Sequence, residues 1–229
     1  SLKMSPLTAE QILATLGKKS NITGLGLEKL GIALNESGIP SYDRTTMQVG
    51  NLPIFIAGDV DHDKPLLHEA ADEGRIAGYN AVRQEVHSFQ RRIPLMIVFT
   101  KPNIAIVGQS YHSLQGKDYI TGSINFNDQG RSRILFQNKG LLHIYANRES
   151  GKLLGAEMIA PAGEHLAHML ALAIQQEMTI FDLLRIPFYH PVIEEGVRTA
   201  LQDLAKQVSN KHKSFDVVMR DSGSVSNLF

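Results

Sequence analysis

One stretch of the chain, residues 190–195, combines a histidine with two glutamates and reads HPVIEE. Histidine takes up and releases protons near neutral pH, and a carboxylate within reach can hold the imidazole in one orientation, as a general base requires. Because proline is favoured at the first position of a helix, the sequence predicts a helix that begins at Pro191 and leaves His190 at its mouth. A helix-capping histidine beside a solvent-facing acid is the alternative interpretation.

The composition excludes several classes of function. Among 229 residues, 23 Lys and Arg balance 23 Asp and Glu, so no electrostatic attraction to nucleic acid or anionic lipid is expected. Because cysteine is absent, a disulfide, a thiolate zinc site and a cysteine nucleophile are excluded within this chain. No apolar run approaches the roughly 20 residues that cross a bilayer. We therefore expect a soluble, cytoplasmic protein that binds neither nucleic acid nor membrane.

The pattern of apolar residues changes near Arg91. Before it, residues 52–57 (LPIFIA) form a continuous apolar run, which predicts a strand covered on both faces, as in an α/β sheet. Residues 25–34 have helical spacing, but two glycines limit them to one or two turns. Residues 66–86 follow helical periodicity over a longer stretch.

Beyond residue 93 short apolar runs alternate with turn signals, and helical patterns follow them. Short linkers between strands imply antiparallel hairpins, and strands followed by helices indicate an α+β sandwich, an antiparallel sheet with helices on one side. The predicted strands are residues 95–100, 104–108, 119–126, 133–137, 141–147 and 152–159, and the predicted helices are residues 162–176, 180–184 and 191–206.

Four segments in order give a specific combination: residues 13–28, residues 54–74 with IFIAGDV and LLHEAADEG, residues 99–108 (FTKPNIAIVG), and HPVIEE. Together they resemble the C-terminal half of the pyridine nucleotide–disulfide oxidoreductases, the flavoprotein family that includes dihydrolipoamide dehydrogenase. The resemblance covers roughly residues 9–207. It implies three parts: a C-terminal remnant of an α/β FAD/NAD(P)-binding region (residues 1–92), an α+β dimerisation domain (residues 93–208) and a polar tail (residues 209–229).

The resemblance also implies the roles of individual residues. The histidine matching His190 would reach into the active site of the partner subunit of a homodimer and move the thiol proton, while Glu195 would orient it. Asp59, at the end of a strand where ligands bind in α/β sheets, would hold the ribityl chain of FAD, and the free N–H groups at the following helix start would face the flavin. The implied cofactor-binding residues are Gly58, Asp59, Leu66, Leu67, His68 and Ala70.

The function that this resemblance implies is the C-terminal portion of an FAD-dependent, NAD(P)-linked oxidoreductase for a small-molecule or lipoyl disulfide. The family's first glycine-rich FAD loop and its redox cysteine pair have no counterpart in this chain, so the chain alone is expected to be inactive. A catalytically inert dimerisation module is the alternative. Lys18 and Ser20 stand where the family has arginine and proline, and Val192 stands where it has threonine.

Two patterns imitate metal sites. Residues 59–63 read D-x-D-x-D, as an EF-hand loop begins, but Lys64 stands where that loop needs glycine. His165 and His168 are spaced for one helix face, but no third ligand stands out, which favours ordinary packed or surface histidines. We predict no metal site. Two alternatives remain. Asp59 is then a turn aspartate that bonds to its own backbone, and His68 occupies a helix start without contacting flavin.

Overall fold

The computed structural model describes residues 8–209. The chain forms two compact units, Ser1–Arg91 and Arg92–Phe229. The predicted polar tail lies outside the described residues except for its first residue. No helix in residues 8–209 is long and apolar enough to span a membrane.

The first unit has little regular structure around a small apolar cluster, whose buried members are Ile39, Val49 and Ile56. A 3-10 turn at Leu27–Leu30 confirms the short helix expected within residues 25–34. Helix α1, Leu67–Ala81, is shorter than the periodicity over residues 66–86 predicted. It ends there because the buried Asn80 side chain binds the backbone of Thr46 and of His87, which turns the chain away from the helix axis.

The prediction of a strand at residues 52–57 is wrong. The run pairs only with residues 47–49, through Val49 N–H to Ile54 O (2.9 Å) and Ile56 N–H to Met47 O (3.0 Å). Pro53 has no N–H to contribute. An apolar run signals burial, but a sheet also needs backbone partners, and within the described residues this run has one short neighbour.

The second unit contains a five-stranded antiparallel sheet in the order β1-β2-β5-β4-β3, which confirms the predicted fold class. The strands are β1 Leu95–Val98, β2 Asn103–Gly108, β3 Tyr119–Asn125, β4 Leu141–Asn147 and β5 Leu153–Ala160. Besides α1 in the first unit, the helices are α2 Tyr111–Leu114, α3 Gly130–Ile134, α4 Gly163–Gln175, α5 Ile180–Leu184 and α6 Glu195–Ala205.

The strand predicted at residues 133–137 is wrong, because residues 130–134 form helix α3. The Gln129 side chain caps this helix by accepting from the Ser132 N–H (2.7 Å), and the buried Ser132 hydroxyl donates to Phe126 O (2.7 Å). Strands β3 and β4 pair directly over seven residues each. The segment between them therefore has no place in the sheet and crosses from one strand to the next as a helical turn.

The long helices cover one face of the sheet. Helix α4 packs on β1, β2 and β5, and α6 packs on β3 and β4. Strand alternation sends every second side chain into this core, where those of β4 and β5 are buried: Leu142, Ile144, Ala146, Ala156, Met158 and Ala160. The intervening side chains, including His143, Tyr145 and Glu157, lie on the opposite face.

Gly122 on β3 lets α6 approach the sheet. A Cβ added there would collide with the carbonyl oxygen of Ala200 and lie 2.6 Å from Leu204 Cγ. Because α6 begins at Glu195, this close contact between α6 and β3 also determines how far residues 190–195 lie from the sheet.

We predict that Gly122→Ala lowers the free energy of unfolding of the second unit by about 1 to 3 kcal/mol, because a rigid backbone atom occupies the added methyl position. Gly130→Ala is the matched control, since a Cβ at that position meets no atom within 4 Å. Denaturant unfolding measured for both variants checks this. Equal stability of the two variants would show that α6 is not held against Gly122.

Candidate active site

His190 and Glu195 are in direct contact. The imidazole Nδ1 lies 2.9 Å from Glu195 Oε1, and the second carboxylate oxygen accepts from the Val192 N–H at 3.1 Å. The carboxylate thus binds the imidazole with one oxygen and the turn that carries it with the other. The His190 side chain is 79% exposed, whereas that of Glu195 is 27% exposed. A partly shielded carboxylate therefore supports an exposed imidazole.

The predicted start of the helix at Pro191 is wrong, because α6 begins at Glu195. The His190–Pro191 peptide is cis. Residues 190–194 form a turn, and at its junction with α6 the Gly196 N–H donates to Ile193 O and the Val197 N–H donates to Glu194 O, both at 2.9 Å. The Val192 N–H is bonded to the Glu195 side chain and not to a backbone carbonyl.

Gln129 fixes the other side of this turn, and sequence reasoning missed it. Its Nε2 donates to Val192 O at 2.7 Å, while its Oε1 accepts from Ser132 N–H. Both backbone groups of Val192 are therefore bonded to side chains. Gln129 lies 63 residues away in sequence, and no local pattern connects it to HPVIEE.

The contact with His190 changes the acidity of Glu195. The pKa of the Glu195 carboxyl is held below its ordinary value, first by the hydrogen bond from His190 and then by that from the Val192 backbone. A carboxylate that stays ionised near neutral pH binds the Nδ1–H of the imidazole and stabilises the imidazolium when it forms.

The remaining ring nitrogen, Nε2, has no hydrogen-bond partner within residues 8–209. With Nδ1 bonded to a carboxylate, Nε2 is the nitrogen that can exchange a proton with a group outside this part of the chain. The neighbouring Tyr189 is also exposed. The arrangement can act as a general acid or base on a group brought to the surface, and no nucleophile of the described residues is bonded to it.

The residues predicted to contact FAD all lie in the first unit. Gly58 has a φ of 79°, a conformation that favours glycine, and its N–H donates to Glu73 Oε2 at 2.8 Å. A Cβ at Gly58 would lie 3.5 Å from the Cβ of Ala70, so the loop after residue 57 comes close to α1. Asp59 begins a 3-10 turn, and its carboxylate, 44% exposed, is paired with Lys18.

The start of α1 offers free backbone donors. Leu66 is the extended residue before the helix, no side chain caps this end, and Leu66 O accepts from Ala70 N–H. Leu67 is 87% exposed and His68 is exposed as well. The N–H groups of a first helical turn favour an electron-rich partner. A glycine at close approach, an accessible carboxylate acceptor and free helix N–H donors together suit a flavin nucleotide.

A buried ionic cluster supports this loop, and sequence reasoning missed it as well. Arg91 Nη2 binds Glu69 Oε2 at 2.6 Å and Glu73 Oε1 at 3.0 Å, and both carboxylates are buried. Burial alone would lower the pKa of Arg91, but the hydrogen bonds and charges of Glu73 and Glu69 outweigh it and raise that pKa. Glu73 therefore connects the Gly58 N–H to the residue that ends the first unit.

The patterns that imitate metal sites have ordinary partners. Asp61 accepts from the Tyr42 hydroxyl, and Asp63 pairs with Arg44. His168 Nδ1 lies 2.7 Å from the carbonyl oxygen of Glu164. Within residues 8–209 no group of three or more potential ligands could hold a metal ion.

Comparison with known proteins defines the second unit. Residues 94–201 match the sequence profile of the pyridine nucleotide-disulphide oxidoreductase dimerisation domain. The second unit therefore carries a dimerisation domain of this family, and the resemblance drawn from the motifs is confirmed. The match extends across His190 and Glu195.

Mitochondrial dihydrolipoyl dehydrogenases are among the relatives of this chain. The chain is 30% identical to that of Sus scrofa and 29% identical to that of Rattus norvegicus, in each case over 201 residues, 86% of this chain and 39% of the relative. The chain thus spans about two fifths of their length.

Among solved structures, LpdA from Mycobacterium tuberculosis has a TM-score of 0.70 and 29% identity, covering 83% of this chain and 42% of LpdA. The flavoprotein disulfide reductase RclA from Escherichia coli shares the fold, with a TM-score of 0.68 at 20% identity, over 82% of this chain and 44% of RclA.

The lowered pKa of Glu195 predicts a pH-dependent stability. A carboxyl whose pKa is depressed by folding contributes stability above its unfolded pKa and loses that contribution as the pH falls through the folded value. We expect Glu195→Gln to lower the Tm at pH 7, and its difference from the wild type to shrink once the pH falls below about 4. Circular dichroism melts across this range measure it.

Glu194→Gln is the control for this melt series, because the Glu194 side chain makes no hydrogen bond or ion pair with residues 8–209. Its Tm should follow the wild type at each pH. A Glu195→Gln deficit that stays constant down to pH 2 would contradict the role assigned to the His190 contact.

Proposed function

We propose that this chain is the C-terminal portion of an FAD-dependent, NAD(P)-linked disulfide oxidoreductase similar to dihydrolipoyl dehydrogenase. The observation that carries the proposal is the 2.9 Å contact between His190 and Glu195, within a segment that matches the family's dimerisation domain. We call the chain joined to an FAD-loop and cysteine-pair portion the complete enzyme. In it, this chain supplies the dimer interface, part of the FAD site and an acid–base pair.

His190 acts through its free Nε2. When a thiol attacks a disulfide, Nε2 accepts the thiol proton, so that the attacking sulfur is a thiolate. When the leaving sulfur needs a proton, the imidazolium returns it. Glu195 holds Nδ1–H throughout, so the ring keeps one orientation and the imidazolium is stabilised as it forms. No proton is gained or lost over the exchange.

The thiols served by His190 lie outside this chain, because the chain has no cysteine. An exposed imidazole on a rigid turn of a dimerisation domain suits delivery to the active site of a partner subunit. We therefore propose a homodimer in which each site combines the cysteine pair of one subunit with His190 of the other. The substrate is a small-molecule or lipoyl disulfide, and the enzyme is cytoplasmic.

The first unit would bind part of FAD. The Asp59 carboxylate would accept from a ribityl hydroxyl in place of its Lys18 pairing, Gly58 would allow close approach, and the N–H groups at Leu67 and His68 would face the electron-rich edge of the ring. Bound there, FAD supplies the two-electron transfer that links a pyridine nucleotide to the disulfide. Leu66 and Ala70 shape the start of α1 behind these donors.

In the complete enzyme, we expect His190→Ala to slow thiol–disulfide turnover by at least about 10²-fold, the ordinary contribution of a general acid–base group. Reduction of FAD by the pyridine nucleotide should continue at the wild-type rate, since it requires no thiol proton. Stopped-flow flavin absorbance and steady-state thiol assays separate the two half-reactions. His168→Ala, an exposed histidine of the same unit, is the control. Wild-type thiol turnover in the His190 variant would exclude the assigned role.

A catalytically inert dimerisation module is the second candidate, and the lack of a cysteine pair in this chain favours it. For the 229-residue chain, sedimentation measures whether it is a dimer, and flavin absorbance measures whether it holds FAD. We expect a colourless dimer, because only part of the FAD site is present. A yellow dimer would show that the first unit holds FAD by itself and would argue against the inert module. A monomer would contradict the proposed interface.

A further inference from the structure

The sheet face opposite the helices carries a second candidate site, in a depression of about 300 Å³ on β2, β4 and β5. We propose that this depression binds a primary alkylammonium ion, whose ammonium group pairs with Glu157 and whose hydrocarbon chain lies on Ile104, Ile106 and Ile159. The proposal does not depend on the oxidoreductase function, because none of these residues contacts the His190 turn or belongs to the FAD set.

The floor of the depression follows from the strand register. Glu157 on β5 lies directly between Ile106 on β2 and His143 on β4. In the next row, Ile159 lies between Ile104 and Leu141. A single acidic side chain thus has an isoleucine beside it on β2, His143 beside it on β4 and an aliphatic row next along the strands, and strand alternation places all of them on the same face.

The segment that follows β2 passes close to the Glu157 carboxylate. Gly155 has no side chain, and a Cβ there would collide with the backbone of Gln109, so the segment after β2 crosses directly over β5. This crossing brings the Tyr111 N–H to 3.2 Å from Glu157 Oε2. The carboxylate therefore lies next to this crossing, and the row of Ile104, Ile159 and Leu141 lies on its other side.

Glu157 is held in place with one oxygen still available. Its Oε2 accepts from the Tyr145 hydroxyl at 2.6 Å and from Tyr111 N–H. Burial and the neighbouring Glu157 raise the pKa of Tyr145, which therefore remains a donor. The other oxygen, Oε1, takes part in no hydrogen bond or ion pair with residues 8–209. No Lys or Arg of the described residues pairs with this carboxylate.

This arrangement selects for a cation with an apolar chain. A carboxylate fixed by two donors attracts an ammonium group, and the charge-assisted hydrogen bond is stronger here than between neutral groups. A cavity of this volume is at the small end of ligand sites, which suits an amine with a short hydrocarbon chain.

The experiment titrates the 229-residue chain with n-hexylammonium and follows amide shifts by NMR. Ethylammonium has the charge with little chain, and n-hexanol has the chain without charge. We expect saturable binding of hexylammonium, with perturbed amides on β2, β4 and β5, and binding of either comparison compound at least about tenfold weaker. Equal affinity for hexanol, or no saturation by hexylammonium, would overturn the proposal.

Two variants and a control locate the site. Glu157→Gln keeps the side-chain shape and should weaken hexylammonium binding about tenfold or more, as expected for loss of a charged partner. Ile159→Ser, at a position already 48% exposed, should weaken hexylammonium but leave ethylammonium unchanged. Glu149→Gln removes an exposed charge from the β4–β5 turn and should have no effect. An equal loss in Glu149→Gln and Glu157→Gln would show attraction to net charge only and would refute the site.

Discussion

The candidate active site depends on the two oxygens of one carboxylate. Glu195 binds the His190 imidazole with Oε1 and the Val192 N–H with Oε2, so the ring and the turn that carries it are held by the same side chain. Gln129 binds the Val192 carbonyl from the other side. An exposed histidine would otherwise sample several rotamers, and a general base gains its effect from being held in one orientation. The His190 ring is therefore exposed and yet held in one orientation.

The rest of the second unit gives this turn a rigid support. Gly122 admits α6 close to β3, and a Cβ at Gly196 would lie 2.9 Å from the ring of the buried Phe126. Phe126 begins the 126–140 connection, which also contains Gln129. The 126–140 connection, in which Gln129 caps α3, is thus packed against the first turn of α6. Gln129 and Glu195, which hold the Val192 turn from its two sides, are therefore positioned by one core.

Local patterns in the sequence were sufficient where side-chain alternation or capping decides the structure. Strand β4 and helix α5 have the predicted bounds: Leu142, Ile144 and Ala146 are buried at every second position of β4, and Thr179 with Asp182 forms a capping box at the start of α5. The 133–137 segment misled the prediction because it is apolar yet exposed, with Phe136 at 93% exposure. Its conformation is set by the Gln129 and Ser132 hydrogen bonds, which no strand or helix period encodes.

Contacts between distant residues account for most of what the sequence did not predict in the site. The contact between His190 and Glu195 was predicted from residue type and spacing, but Gln129 and the Arg91 cluster depend on backbone positions that only the fold creates. The late start of α6 has a local origin instead, since the Glu195 side chain, three residues ahead, binds the Val192 N–H. Residue spacing thus predicted the contact between His190 and Glu195, but it did not predict the residues that support this turn from other elements.

Mixed dimers of the complete enzyme test most directly whether His190 serves a neighbouring subunit. Subunits carrying His190→Ala would be combined with subunits whose cysteine pair is replaced by serine, and thiol turnover would be measured after exchange. Neither parent dimer should be active, but a mixed dimer contains one site with both intact cysteines and an intact His190. The account predicts recovery of about a quarter of wild-type activity at statistical exchange, since half of the dimers are mixed and one of their two sites works. No recovery in verified mixed dimers would contradict it.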